Sequence, residues 1–202
     1  PDHIFRQEYL AEIIDNASGL FKNVRTSVGQ WESKGRAYAG LDIGRADDYT
    51  VLTILNEDGQ MIYVQRWRHD EWSKIIDKVA DVIKAYNAVT VVEVNNQGDV
   101  FFEMLQTKCR NNVNPFVTTS KSKPMIIEDL ALAFEQGDIK VISEQWLIDE
   151  LENFTYIYNI NTRKVQYAAP SGMHDDGVMS TALAFHSLKH YRMKGKYKIL
   201  RA

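Results

Sequence analysis

The chain has 202 residues, 45% of them hydrophobic and 25% charged, enough apolar material for one sizeable core. No apolar run approaches the ~20 residues of a membrane span, and the N-terminus lacks the basic-then-apolar layout of a signal peptide, so no membrane partner is expected. A single cysteine, Cys109, excludes an internal disulfide and a cysteine-based zinc cage and fits a reducing compartment. The net charge of −3 gives no global polyanion signal, but from Lys189 onward four lysines and two arginines occur without an acid. A basic tail on an acidic body suggests a local polyanion contact.

In chain order, residues 1–36 read as an approach segment without sustained periodicity. The start at Pro1, without Met, suggests a piece of a longer protein. Residues 37–43 and 50–55 then read as strands. Asn56-Glu57-Asp58-Gly59 supplies a turn, and 61–67 alternates as a third strand of an antiparallel meander. Apolar residues at helical spacing mark 71–87 as an amphipathic helix. The β-branched run from Val89 to Val94 reads as a buried parallel strand. A helix over 99–110 and a short strand over 114–118 follow. Ser122 and Pro124 start a helix over 124–136 that Gly137 stops. The remaining expectations are a strand at 139–142, a helix at 144–152, a hairpin of 154–160 with 165–168, and a last helix from about 175 to 191. A meander followed by alternating helices and strands gives an α/β fold, with a mixed sheet flanked by helices on both faces.

Three acids stand in places where charge is expensive. Asp42 lies in Tyr38-Ala39-Gly40-Leu41-Asp42-Ile43-Gly44, Glu93 lies in Val91-Val92-Glu93-Val94-Asn95-Asn96, and Asp175-Asp176 follow His174 at the start of the last helix. A carboxylate within a buried strand costs several kcal/mol unless it is paired or bound to metal. Taken singly, each has a structural reading. Asp42 caps a turn, Glu93 pairs with a buried cation, and one of Asp175 and Asp176 caps its helix and favours its dipole. All three positions nevertheless fall at one end of the expected sheet, where open α/β sheets place ligands. Asp48, in the turn after the first strand, is either a solvated acid or a further ligand. His174 is either a surface residue or an orienting group. Gly40 and Gly44 are expected to leave room beside Asp42.

The element order resembles the ribonuclease H-like fold. The motifs Gly40-Leu41-Asp42-Ile43-Gly44, Val92-Glu93-Val94-Asn95-Asn96-Gln97-Gly98 and His174-Asp175-Asp176-Gly177-Val178-Met179, in this order, resemble the nuclease domain of large terminase subunits of tailed bacteriophages. The resemblance covers roughly residues 37–188 and the lead-in Phe5-Arg6-Gln7-Glu8-Tyr9-Leu10. It implies that 1–36 is a lead-in or linker from an N-terminal ATPase domain, that 37–191 is the nuclease domain, and that 192–202 is a basic tail. No Gly-x-x-x-x-Gly-Lys-Ser/Thr loop occurs in the chain. By the same resemblance Asp42, Glu93 and Asp176 are the catalytic, metal-binding acids, with Asp175 and Asp48 as auxiliary ligands. The middle acid is Glu where several relatives use Asp, and its longer arm bears on metal spacing.

The chemistry implied is metal-dependent endonucleolytic cleavage of concatemeric phage DNA, with two Mg²⁺ or Mn²⁺ ions ~3.5–4 Å apart. Mg²⁺ keeps several waters, so a few carboxylates suffice. Lys121, Lys123, Arg163 and Lys164, together with the tail, are candidates for double-stranded DNA backbone contacts. The implied partners are the ATPase domain of the same protein, the portal and the small terminase subunit, and the implied location is the host cytoplasm at the procapsid. Three other readings stand beside this one: a resolvase- or transposase-like nuclease of the same fold, a sugar-kinase-like phosphotransferase, and a non-catalytic motor docking module.

Overall fold

In the computed structural model the described residues are 19–44, 48–68, 71–95, 98–159 and 164–199. A 3₁₀ turn at Arg25–Ser27 leads into β1 (Val28–Gly29), followed by β2 (Tyr38–Asp42), β3 (Thr50–Leu55) and β4 (Met61–Trp67). Helix α1 (Trp72–Tyr86), β5 (Val89–Glu93), α2 (Gly98–Cys109) and β6 (Val113–Phe116) come next. Then come α3 (Ser122–Gln136), β7 (Val141–Ile142), α4 (Gln145–Asn153), β8 (Thr155–Asn159), β9 (Lys164–Ala168) and α5 (Asp176–Ile199).

The main sheet has the order β4-β3-β2-β5-β6. Its β2–β3 and β3–β4 pairs are antiparallel, and its β2–β5 and β5–β6 pairs are parallel. This is the expected meander joined to crossover strands, with the first long strand in the centre. Strand periodicity sorts the side chains. Ala39, Leu41, Leu52, Ile54 and Val92 face α1 and α2, whereas Tyr38, Val51, Leu55, Val89 and Val91 face α3, α4 and α5. Helices therefore cover both faces. No helix among the described residues is long and apolar enough to cross a membrane.

Three features differ from the sequence reading. The segment before β2 is not a bare approach: Leu20, Phe21 and Val24 are buried, and Phe21 packs on Phe134 and Phe154 with ring centroids 5.5 and 5.7 Å apart. Spaced apolar residues among glycines and polar residues carry no period to announce this. Helix α3 starts at Ser122 rather than 124 because the Thr119 hydroxyl accepts the Lys121 and Ser122 N–H groups and Ser122 Oγ accepts the Thr119 N–H. The last helix does not end near 191 but continues to Ile199, through most of the basic tail.

The glycine of β2 fixes the position of α5. A Cβ on Gly40 would lie 2.1 Å from Ser180 O and 2.3 Å from Ala184 N. The helix backbone thus rests on the strand where no side chain intervenes. Ser180 Oγ and Thr53 Oγ1 hydrogen-bond at 2.8 Å beside it. At Gly44 the nearest atoms to such a Cβ belong to the Tyr49 backbone, at 2.4 Å. The room expected beside Asp42 is filled in both places by the protein's own main chain.

Candidate metal centre

Asp42 ends β2 and Glu93 ends β5. The strands run parallel with Gly40 opposite Val91 and Leu41 opposite Val92, so the next step sets Asp42 beside Glu93. Both acids alternate with residues of the α5-facing core and project to that side. Helix α5, seated on Gly40, brings its first residue, Asp176, to the same end of the sheet. Asp176 is buried, and its Oδ2 accepts the Tyr49 N–H at 3.1 Å. The sequence thus assembles the site with two strand ends and one helix start, all aligned by backbone packing.

The acids act on one another strongly. Loss of solvent raises the Asp42 carboxyl well above the ordinary range. Repulsion from Glu93, Asp176 and Asp175 raises it further, as does a hydrogen bond that protonated Asp42 donates to Glu93. Burial chiefly lifts Asp176 to about 6, opposed by the Tyr49 N–H. Asn95 Nδ2 donates to Glu93 Oε1 at 2.8 Å and to the Thr118 carbonyl at 3.0 Å, while its own oxygen accepts the Thr118 N–H. This pins Glu93 between β5 and the loop after β6.

On the other side of Asp176, His174 Nδ1 lies 3.6 Å from Asp176 Oδ2 and 3.7 Å from Asp48 Oδ1. One ligand atom from each of Asp48, His174 and Asp176 falls within 4.8 Å of the others. Among the described residues this is the group whose ligand atoms converge so closely, whereas Asp42 and Glu93 stand outside it, and Asp42 feels Asp176 through its charge. Asp175 instead pairs with Lys123 at 3.2 Å. Lys123, expected to contact DNA, has its ammonium held inward by this acid. Lys121 is exposed. Arg163 lies outside the described residues, and Lys164 opens β9. In the tail, Lys189 pairs with Asp129 at 2.6 Å.

Sequence reasoning missed Glu150. It is buried on α4, and its Oε2 accepts the Gly177 N–H at 2.8 Å, directly beneath the start of α5. Burial raises it to about 7. A buried acid in an amphipathic helix carries no motif, and its partner is a backbone amide far along the chain. Asp176 and Glu150 both keep protons to higher pH in the folded protein than in the unfolded chain, so each loses stabilising influence as pH rises through its folded value. Metal-free stability should therefore fall from about pH 4 to about pH 7 on their account. His186, whose pKa burial lowers, acts oppositely below its ordinary value. Scanning fluorimetry of wild type and Glu150→Gln in EDTA between pH 4.5 and 8 reads the Glu150 part by difference: the variant should show a shallower decline in Tm and a higher Tm at pH 8.

The donor set is four carboxylates and one imidazole, rich in the oxygen ligands that hard divalent cations select. A cation would offset the burial and the repulsion that make Asp42 hold its proton. The residues fit such an ion.

The family model described as the Terminase RNaseH-like domain matches residues 39–188. The chain belongs to this family. The terminase large subunit of Thermus virus P23-45 is 30% identical over 213 residues, covering 98% of this chain and 43% of that protein. The large subunit of Thermus phage G20c gives the same figures, so the chain spans less than half the length of these curated relatives. Among solved structures, the large terminase nuclease from thermophilic phage G20c superimposes with a TM-score of 0.73 at 26% identity, covering 84% of this chain and 98% of that one. Its crystal structure with bound magnesium also gives 0.73 and 26%, covering 85% and 98%. The terminase assignment takes precedence over the resolvase, transposase and sugar-kinase readings, and the fold is the ribonuclease H-like one expected from the strand order.

Proposed function

We propose that this terminase domain is a metal-dependent endodeoxyribonuclease that cuts concatemeric phage DNA by hydrolysing phosphodiester bonds with two Mg²⁺ or Mn²⁺ ions. The observation that carries the reading is the gathering of acids at one end of the sheet: Asp42 beside Glu93 on parallel strands, its carboxyl raised by burial and by the charges of Glu93 and Asp176, and Asp176 grouped with Asp48 and His174. The G20c nuclease solved with bound magnesium, cobalt and zinc supports a divalent ion. When bound, such ions acidify a water for attack and neutralise the leaving 3′-oxygen.

The chain's own residues prepare that chemistry. Asp42, Glu93 and Asp176 would hold the cations, which would supply the acidified water and the positive charge at the leaving oxygen. Asp48 and His174 stand ready beside Asp176, and Lys123 offsets the charge of Asp175. The Tyr49 N–H and the Asn95 amide orient two of the acids before any ligand arrives. No side chain need serve as the primary base. Double-stranded DNA is the substrate in this reading. The segment before residue 37 leads in from an ATPase domain of the same polypeptide, and residues 192–202 form a basic tail. The portal and small terminase subunit are partners at the procapsid in the host cytoplasm.

Plasmid cleavage in Mg²⁺, Mn²⁺ and EDTA tests the proposal. Activity should require the metal and fall by about 10²- to 10⁴-fold in Asp42→Asn and Asp176→Asn. Metal binding without cleavage under all conditions would instead favour a docking module. Asn95→Ala should keep the fold but lower apparent metal affinity by about 10- to 100-fold, as loss of a residue supporting a metal ligand typically does. A metal titration of cleavage rate reads that shift.

A further inference from the structure

Across the main sheet, Asp42 pairs with Val51, and Val51 pairs with Arg66 on the next strand. Arg66 thus stands in the same cross-strand row as the acids and on the same α5-facing side as Val51 and Val64. Two strand spacings put its backbone about 10 Å from that of Asp42. Its guanidinium carbon sits 4.5 Å from the ring centroids of both Tyr49 and Trp146. Arg68, exposed and two residues on, lies 5.0 Å from the Tyr49 centroid and donates from Nη1 to Tyr49 Oη at 3.4 Å. Tyr49 is also the residue whose N–H holds Asp176 and whose ring meets His174 edge-on at 5.1 Å.

Two cations are therefore gathered on one aromatic ring beside the acidic cluster. Among the described residues neither makes an ion pair. Glu150 feels the charge of Arg66 but stays beyond ion-pair distance. A guanidinium packed on aromatic faces keeps its in-plane N–H edge free, and that edge matches a phosphate in a two-pronged hydrogen bond. The stack removes much of the arginine's conformational freedom beforehand, so less is lost on binding.

We propose that Arg66 and Arg68, held on Tyr49 and Trp146, clamp a DNA backbone phosphate flanking the one to be cut. The inference rests on the nuclease reading above and adds a substrate-binding site to it. The clamp fixes register and carries no sequence information, as backbone contacts do.

Fluorescence anisotropy of a short labelled duplex, in the Asp42→Asn background and across a salt series, tests it. One phosphate contact contributes a slope of about 0.9 in log affinity against log salt, or about 8-fold in affinity at 0.1 M. Arg68→Gln should weaken binding by about that factor and lower the slope by about one, and the double Arg66→Gln/Arg68→Gln variant by more. Arg66→Lys and Arg68→Lys should keep most of the slope while losing affinity, because the charge stays but the flat stacked fork does not. In the active protein, Arg68→Gln should raise KM more than it lowers kcat. Arg68 is exposed, so its variant tests the idea even if Arg66→Gln unfolds. An unchanged slope and affinity in Arg68→Gln and the double variant would overturn the clamp, while normal metal-dependent cleavage would leave the nuclease reading standing. Conversely, a reduced slope in a protein that cleaves nothing would uphold the clamp and sink the nuclease.

Discussion

Asp42→Asn is expected to slow plasmid cleavage at saturating Mg²⁺ by about 10²- to 10⁴-fold while making the metal-free protein more stable. The first effect follows from the several kcal/mol of charge stabilisation that bound divalent ions supply, at about 1.4 kcal/mol per factor of ten. Asparagine keeps the size of the side chain but removes the central negative charge. The second effect follows from the forces already acting on Asp42. Desolvation and repulsion from Glu93, Asp176 and Asp175 all disfavour its ionised form, and asparagine is relieved of them. Asp176→Asn should behave alike. Its carboxyl is raised from 3.8 to about 6, roughly two units, or about 3 kcal/mol at neutral pH. For a chain of this size that corresponds to a rise in apo Tm of roughly 6–12 °C. The Tyr49 N–H retains an acceptor in the amide oxygen. Opposite signs for activity and metal-free stability mark a site maintained for function against the interest of the fold. Thermal melts in EDTA, run beside cleavage assays, read both.

Gly40→Ala is the second large effect, and here stability and activity should fall together. The new methyl would meet Ser180 O at 2.1 Å and Ala184 N at 2.3 Å. Both are backbone atoms of a buried helix, so neither can swing aside as a side-chain tip would. Overpacking of this kind costs about 3 kcal/mol, or roughly 6–12 °C in Tm. Any folded fraction should have α5 displaced from β2, and Asp176 with it. Cleavage should therefore fall further than the loss of folded protein explains. Gly137→Ala is the contrast. Its φ of +75° strains an alanine, but the nearest atom to the new Cβ is Lys140 Nζ at 3.8 Å. That change should cost about 1 kcal/mol and leave specific activity intact.

The comparison shows which physics a linear sequence carries. Strand alternation and helical spacing are local, so the meander, the buried parallel strand β5 and the amphipathic α1 were legible. Asp42 and Glu93 stood out because each interrupts an apolar strand where burial of charge is costly, and Asp176 because it opens the last helix. What escaped depends on distant backbone. Gly40 reads as slack beside an acid, yet it is the seat of α5. Leu20, Phe21 and Val24 show no period, although they fill a gap against α3 and the start of β8. Glu150 needs the Gly177 amide to explain it. The stack of Arg66 and Arg68 on Tyr49 needs the β3–β4 register. Lys123 looked like a free cation after a strand, and only the approach of α3 to residue 175 shows its partner.

Anomalous scattering from a crystal soaked in Mn²⁺ tests the convergence of the three acids most directly. The strongest peak should lie between the carboxylates of Asp42, Glu93 and Asp176, and Asp42→Asn should abolish it. A peak bounded by Asp48 and His174 alone, with Asp42 and Glu93 still sharing a proton, would contradict the account.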